Sequence, residues 1–308
     1  MKKYTLLLLM MFVIGCNQKT ENHHVDMPLS DNNILYSLKD TVSLKNFGKI
    51  SDLSLWNDSL ILTDEIKGTV NIFDPNSKMF SEIDLESEQV IPTGLYINND
   101  LLYILDSGNR QIISYDLVKQ KINYIPINEL DKANINSILG ITVIDQKIYL
   151  SFSANDEQYN KLFRLEDDGK LTPILDDFIG YVTSYDKKIL ASNAYYYQKQ
   201  DGAFSITTGS SSVSLIDPQT KEAETINLDS KLAPQKLHKL DNKFLAACFG
   251  NASIVSFDFI KKQAEVVFEM PHESVGDALI GPMTISEDGT IYLVNNSEGS
   301  ILKLVKHD

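Results

Sequence analysis

Leu101-Leu-Tyr-Ile-Leu-Asp-Ser-Gly-Asn-Arg-Gln-Ile-Ile-Ser-Tyr-Asp116 decides the fold. The stretch opens with an apolar run, breaks at a tight polar turn over Asp106–Asn109, and resumes as a second run ending in an aromatic–acid pair. Short apolar runs bounded by Gly, Asn and Asp are the pattern of antiparallel strands. Weaker copies recur along the chain, and self-similarity at a period of about 20–50 residues marks a repeat architecture.

Working outward, the second strand of each copy aligns at Leu60-Ile-Leu-Thr, Leu102-Tyr-Ile-Leu, Ile148-Tyr-Leu-Ser, Ile189-Leu-Ala-Ser, Phe244-Leu-Ala-Ala and Ile291-Tyr-Leu-Val, at spacings of 42, 46, 41, 55 and 47 residues. Turn residues precede each, such as Asn57-Asp58 and Asp145–Lys147. A third strand ends in a hydrophobic–acid pair (Phe73-Asp74, Tyr115-Asp116, Leu165-Glu166, Ile216-Asp217, Phe257-Asp258). The acid opens a turn because its side-chain oxygen accepts from amides two residues on. A fourth strand follows, as in Met79–Leu85, Lys121–Pro126 and Ala223–Leu228. Four short antiparallel strands repeated radially predict an all-β, six-bladed β-propeller, with seven blades the alternative. The last unit supplies only three strands, and the unmatched segment Ile34–Leu44 is expected to supply its fourth, closing the ring without an open edge.

Leu102–Asp116 resembles the NHL-type propeller repeat, as do Pro92-Thr-Gly94 and Gly281-Pro-Met-Thr-Ile-Ser-Glu-Asp-Gly-Thr-Ile-Tyr-Leu-Val-Asn-Asn296. With the N-terminus described next, the chain is similar to the six-bladed propeller lipoproteins of the Bacteroidetes. That resemblance implies an architecture and no single activity.

Lys2 and Lys3, the apolar run Tyr4–Ile14 and Val13-Ile14-Gly15-Cys16 read as a lipoprotein signal over residues 1–15, with Cys16 the acylated first residue of the mature chain. The run is about half the ~20 residues of a membrane-spanning helix. Several acyl chains on Cys16 would anchor the protein stably. Residues 16–32 are polar and aperiodic, the composition of a flexible tether, and the propeller domain is expected over 33–308. These features place the protein at the bacterial cell envelope, in the outer membrane, facing either the periplasm or the exterior.

The formal charge of −14, which becomes −16 without Lys2 and Lys3, argues against nucleic acid and anionic head groups as partners. Arg110 and Arg164 are the two arginines. With Cys16 lipidated, Cys248 has no partner within the chain and reads as a buried small hydrophobe.

In a four-stranded blade, loops between strands two and three share a face with the connectors between blades, and a rigid scaffold commonly carries function on such loops. The largest departure from the repeat is Tyr195-Tyr-Tyr-Gln-Lys-Gln-Asp-Gly-Ala-Phe-Ser-Ile-Thr-Thr-Gly-Ser210, which accounts for the 55-residue spacing. Tyr195, Tyr196, Tyr197 and Phe204 offer flat apolar area with hydroxyls, suited to recognition; a longer hairpin covering the blade edge is the other reading. Arg110 joins them as a candidate ligand-binding residue.

Pro271-His-Glu-Ser-Val-Gly-Asp277 crowds catalytic residue types, but sequence adjacency supplies no triad geometry, and it reads as a polar connector. His238 reads as a satisfied core or channel histidine. Resemblance to six-bladed calcium lactonases of the gluconolactonase type would make Asp64, Asp106, Asn193 and Asn295 weak candidates for a channel calcium, a hard cation that wants converging oxygens. The Glu-containing opening expected of that family is absent from Gly48-Lys-Ile-Ser-Asp-Leu-Ser-Leu55. No cofactor is expected. The reading is a lipid-anchored, non-enzymatic module that binds a small molecule, glycan or envelope protein through its loop-rich face. The alternative is a metal-dependent lactonase- or lyase-like hydrolase with its site at the central channel.

Overall fold

Among the described residues of this computed structural model, twenty-six strands build six sheets. It describes residues 24–26, 29–30 and 34–307, apart from 129, 131–134, 155, 201–202, 229–231, 250 and 271–279. Blades 1 to 3 are β4–β7 (Ile50–Trp56, Ser59–Asp64, Thr69–Asp74, Met79–Ile83), β8–β11 (Pro92–Asn98, Leu101–Asp106, Gln111–Asp116, Lys121–Pro126) and β12–β15 (Ile135–Ile144, Lys147–Ala154, Leu162–Leu165, Leu171–Leu175). Blade 4 is β16–β19 (Gly180–Tyr185, Lys188–Gln200, Ala203–Ile216, Ala223–Asn227) and blade 5 is β20–β23 (His238–Leu240, Lys243–Cys248, Ser253–Asp258, Gln263–Glu269). Blade 6 takes β24–β26 (Ile280–Ile285, Ile291–Asn295, Ser300–Lys306) and, as its outer strand, β3 (Tyr36–Ser43), paired antiparallel from Ser300↔Ser43 to Lys306↔Tyr36. The expected closure from the N-terminus is therefore present.

The signal segment 1–15 and Cys16 lie outside the described residues. Within the stretch read as a tether, two pieces are strands: β1 (His24–Asp26) pairs parallel with β19, and β2 (Leu29–Ser30) with β23. Open outer edges of blades 4 and 5 offer unpaired backbone groups, and these pieces occupy them.

The turns follow the repeat. Asn57-Asp58, Asp145-Gln146 and Asp186-Lys187 hold φ between 45° and 65°, the left-handed pair of a two-residue hairpin, which Asn and Asp tolerate. Between strands three and four, Asp74, Asp116, Asp217 and Asp258 accept amides two or three residues on, and Lys78, Gln120, Lys221 and Lys262 take a left-handed φ four residues on.

The core is divided into six apolar clusters, one at each seam between neighbouring blades. Leu62, Phe73, Val294 and Ile301 fill the seam from blade 6 to blade 1, and Leu105, Ile112, Leu150 and Phe152 that from blade 2 to blade 3. On the axial side of the seams runs a series of polar stitches. Ser51 Oγ donates to Pro92 O (2.6 Å), Thr93 Oγ1 to Ile138 O (2.7 Å), Ser151 Oγ to Gly180 O (2.6 Å) and Ser192 Oγ to Gln235 O (2.7 Å). Gln235 Nε2 continues the series to Ile280 O at 3.3 Å. At the seam from blade 6 to blade 1 the matching positions are Gly281 and Val294, which carry no donor.

The accepting carbonyls of Pro92, Ile138 and Ile280 sit where the innermost strand bulges against its neighbour. Blade 4 has no such bulge, and Gly180 stands at the position instead. A Cβ there would overlap the Ser192 carbonyl.

Removing a hydroxyl from this series leaves a buried carbonyl unpaired, which costs about 1–3 kcal/mol. Ser192→Ala is expected to lower the urea-unfolding free energy by about that amount, and Gly180→Ala by more. Substituting the exposed Ser77 in the same way should leave it within about 0.5 kcal/mol. Equilibrium urea melts check the order.

Candidate functional site

The channel is bridged by an ion pair. Asp52 lies on β4, the innermost strand of blade 1, and Lys236 on the segment entering blade 5; each side chain is largely buried. Lys236 Nζ reaches Asp52 Oδ2 at 3.4 Å and donates to Leu95 O of blade 2 at 2.8 Å. Asp52 in turn accepts the amides of Leu53 and Leu95, each at 2.7 Å. Blade 5 neighbours neither blade 1 nor blade 2 in the ring, so the lysine crosses the axis. Charge, carboxylate and carbonyl are satisfied within the protein, as buried ions require.

The oxygens considered for a channel metal are held within their own blades. Asp64 Oδ2 accepts Gly48 N at 2.6 Å while Oδ1 accepts the amides of Ile66 and Lys67. Asp106 Oδ1 accepts Ile91 N, Gly108 N and Asn109 N, and Oδ2 accepts Asn109 Nδ2 and Gln111 Nε2. Asn193 Oδ1 accepts Ile179 N, and Asn295 Oδ1 accepts Glu298 N and Ser297 Oγ. Asp64, Asp106 and Asn295 end second strands and pin the turns that follow, while Asn193 lies within β17 and holds the segment before β16. Among the described residues no three His, Cys, Asp or Glu side chains gather as a metal site.

Arg110 occupies the left-handed position of the Asp106 turn (φ 53°) and donates from Nη1 to Leu130 O at 2.6 Å. It ties blade 2 to the connector before blade 3, apart from the aromatic residues of blade 4.

Those residues lie not in a loop but in strands. β17 and β18 run 13 and 14 residues, and their pairing continues past the ring from Tyr195↔Thr208 to Gln200↔Ala203. At about 3.3 Å per residue the ribbon rises roughly 20 Å beyond the level at which the other blades turn. The register pairs Tyr195 with Thr208, Tyr196 with Thr207, Tyr197 with Ile206 and Lys199 with Phe204. The ribbon leaves the face that carries the connectors between blades. The extended pairing is that of the longer hairpin, the other reading of this segment in the sequence.

Cys248 is fully buried and burial pushes its thiol well up, which leaves it a small apolar side chain. His238, expected to be satisfied, has a buried Nε2 with no partner although the residue is only half-buried overall. Burial first, then the nearby Lys236 charge, lowers its pKa to about 3, against a backbone hydrogen bond with Met283 that raises it. Pro271–Asp277 lies outside the described residues.

Ring, stitches and bridged channel define the class: a six-bladed β-propeller. No protein-family model and no curated protein sequence matches the chain. Among solved structures it is similar to virginiamycin B lyase from Staphylococcus aureus, at 14% identity and a TM-score of 0.61 over 88% of this chain and 100% of that one. It is also similar to a protein of unknown function from Bacteroides thetaiotaomicron (11%, TM-score 0.62, 89% and 76%) and to PQQ-bound aldose sugar dehydrogenase from Streptomyces coelicolor (12%, 0.60, 87% and 97%). At these identities the likeness is one of fold.

Two outcomes are expected. Lys236→Met leaves Asp52 buried beside two amides without its cation and should cost about 3 kcal/mol in a urea melt, whereas Asp52→Asn with Lys236→Met together should cost less than the two changes summed. For His238, the unfolded chain takes a proton near the ordinary 6.5 and the folded ring resists it down to about 3. Stability is therefore complete above pH 6.5 and falls with acid by up to about 1.4 kcal/mol per pH unit. His238→Phe should flatten the melting temperature between pH 6.5 and 5, above the range in which the carboxylates titrate.

Proposed function

We propose that this chain is a lipid-anchored binding module of the cell envelope that recognises a glycan, small molecule or envelope protein with the β17–β18 ribbon and the loops beside it. The observation that carries the reading is the ribbon itself. It is the largest break in a sixfold repeat, it rises from the connector face, and it concentrates Tyr195, Tyr196, Tyr197 and Phe204. Two-sided ribbons of aromatic and hydroxyl residues make large contacts at low side-chain entropy. Stitches and seam clusters hold the ring without help from the ribbon, so it is free to vary for a partner.

The lactonase- or lyase-like alternative draws nothing specific from this chain. Its candidate oxygens at Asp64, Asp106, Asn193 and Asn295 hold backbone amides in four separate blades. The lysine across the axis meets the one carboxylate beside it. For the anchor, the support is the basic start, short apolar run and Cys16.

Replacing Tyr195, Tyr196, Tyr197 and Phe204 together by serine should leave the melting temperature within about 2 °C, as for surface changes. The same variant should lose the envelope component that the wild type retains in affinity capture from solubilised membranes. Retention of that component by the folded variant would refute the recognition surface. Cys16→Ser should abolish incorporation of an alkyne-labelled fatty acid and move the protein from the membrane to the soluble fraction; labelling that persists would overturn the anchor.

A further inference from the structure

On the face opposite the ribbon, the first turn and the third turn of blade 5 frame a cleft of about 360 Å³ against blade 6. That volume lies within the roughly 300–1,000 Å³ of small-molecule sites. Leu240, Leu245 and Val267 form an apolar wall, and Leu35 completes it from the segment that leads into β3. The Leu35 backbone is fixed on both sides: its amide donates to Val267 O of blade 5 at 2.9 Å, and its carbonyl accepts His307 N at 2.8 Å.

At the floor stands Tyr36, only 3% exposed, whose hydroxyl is buried and makes no hydrogen bond. A buried hydroxyl without a partner costs about 1–3 kcal/mol, and such groups call for an explanation. The nearby Asp241 charge and burial hold this phenol in its protonated, donating form, burial being the larger cause.

In an otherwise acidic protein, three lysines (Lys243, Lys261 and Lys306) line this cleft against two acids, Asp241 and Asp258. Lys261 and Lys306 are exposed at the mouth. Lys243 beside them is engaged with Glu265 at 3.3 Å. Of the lining acids, Asp241 is exposed at the first turn, and Asp258 spends Oδ1 on the amides of Ile260 and Lys261 and lies 3.9 Å from Lys261 Nζ. Ile260, 86% exposed, overhangs the same mouth and adds apolar surface.

We infer that this cleft is a second binding site, independent of the ribbon, for a small organic anion with an apolar body. The body packs on Leu240, Leu245 and Val267. A carboxylate or sulfonate oxygen accepts from the Tyr36 hydroxyl, and Lys261 and Lys306 neutralise the charge.

The test uses 8-anilinonaphthalene-1-sulfonate, titrated by fluorescence into the folded chain from residue 17 onward, with amide shifts mapping the site. Saturable one-to-one binding is expected, with shifts at Leu240–Lys243, Asp258–Lys261 and Lys306. Lys261→Glu with Lys306→Glu should weaken it about tenfold or more and Tyr36→Phe about fivefold, the range of lost charged and neutral hydrogen bonds. The uncharged N-phenyl-1-naphthylamine should bind at least about tenfold more weakly than the sulfonate. Shifts on the ribbon face, unchanged affinity in the folded charge-reversed variant, or equal binding of the neutral probe would overturn the assignment. Concentration-dependent dimerisation that protects the same amides would overturn it too, in favour of a second copy as occupant. Mapping on the wild type needs no variant to fold.

Discussion

The structure depends on one constraint: every blade must present its buried edge to the next at the correct height and angle. Apolar packing alone does not set height, because side chains that slide along a seam still bury area. The series Ser51, Thr93, Ser151, Ser192 and Gln235 does, since each donor meets one backbone carbonyl of the following blade. The seam from blade 6 to blade 1 has no such donor. That seam is where the chain closes the ring, with β3 completing blade 6 before the chain enters blade 1. A ring closed in this way has no open seam between its first and last blades.

The repeat was legible because its signals are local. Short apolar runs, paired Asn or Asp at left-handed turns and an acid at the end of the third strand each depend on a few neighbouring residues. The stitches were not legible, since Ser151 and Gly180 or Ser192 and Gln235 meet only after the ring has formed. The ion pair of Asp52 and Lys236 joins positions most of the ring apart and leaves no periodic trace. His238 shows the same limit from the other side: its place in a strand was readable, its unpartnered nitrogen was not.

The candidate site divides in the same way. Asp64 and Asp106 end apolar strands in a manner that suits either a metal ligand or a turn cap. Once folded, their oxygens are taken up by amides of their own blades, so the repeat explains them without a ligand. Arg110 likewise proves to be a tie between blade 2 and a connector. What the repeat cannot account for is the β17–β18 ribbon, on which the proposed recognition rests. Its strand register was hidden because three tyrosines in succession break the alternation, and because the partner stretch 203–210 keeps only Phe204 and Ile206 as large apolar residues.

The account places recognition on the blade 4 ribbon and leaves the opposite turns out of that contact. Photocrosslinking in living cells tests this most directly, with benzoylphenylalanine installed at Tyr197 or, as the comparison, at the underside residue Asp58. A discrete adduct from position 197 and none from position 58 is the predicted result. An adduct from position 58 alone, or the same adduct from both, would contradict it.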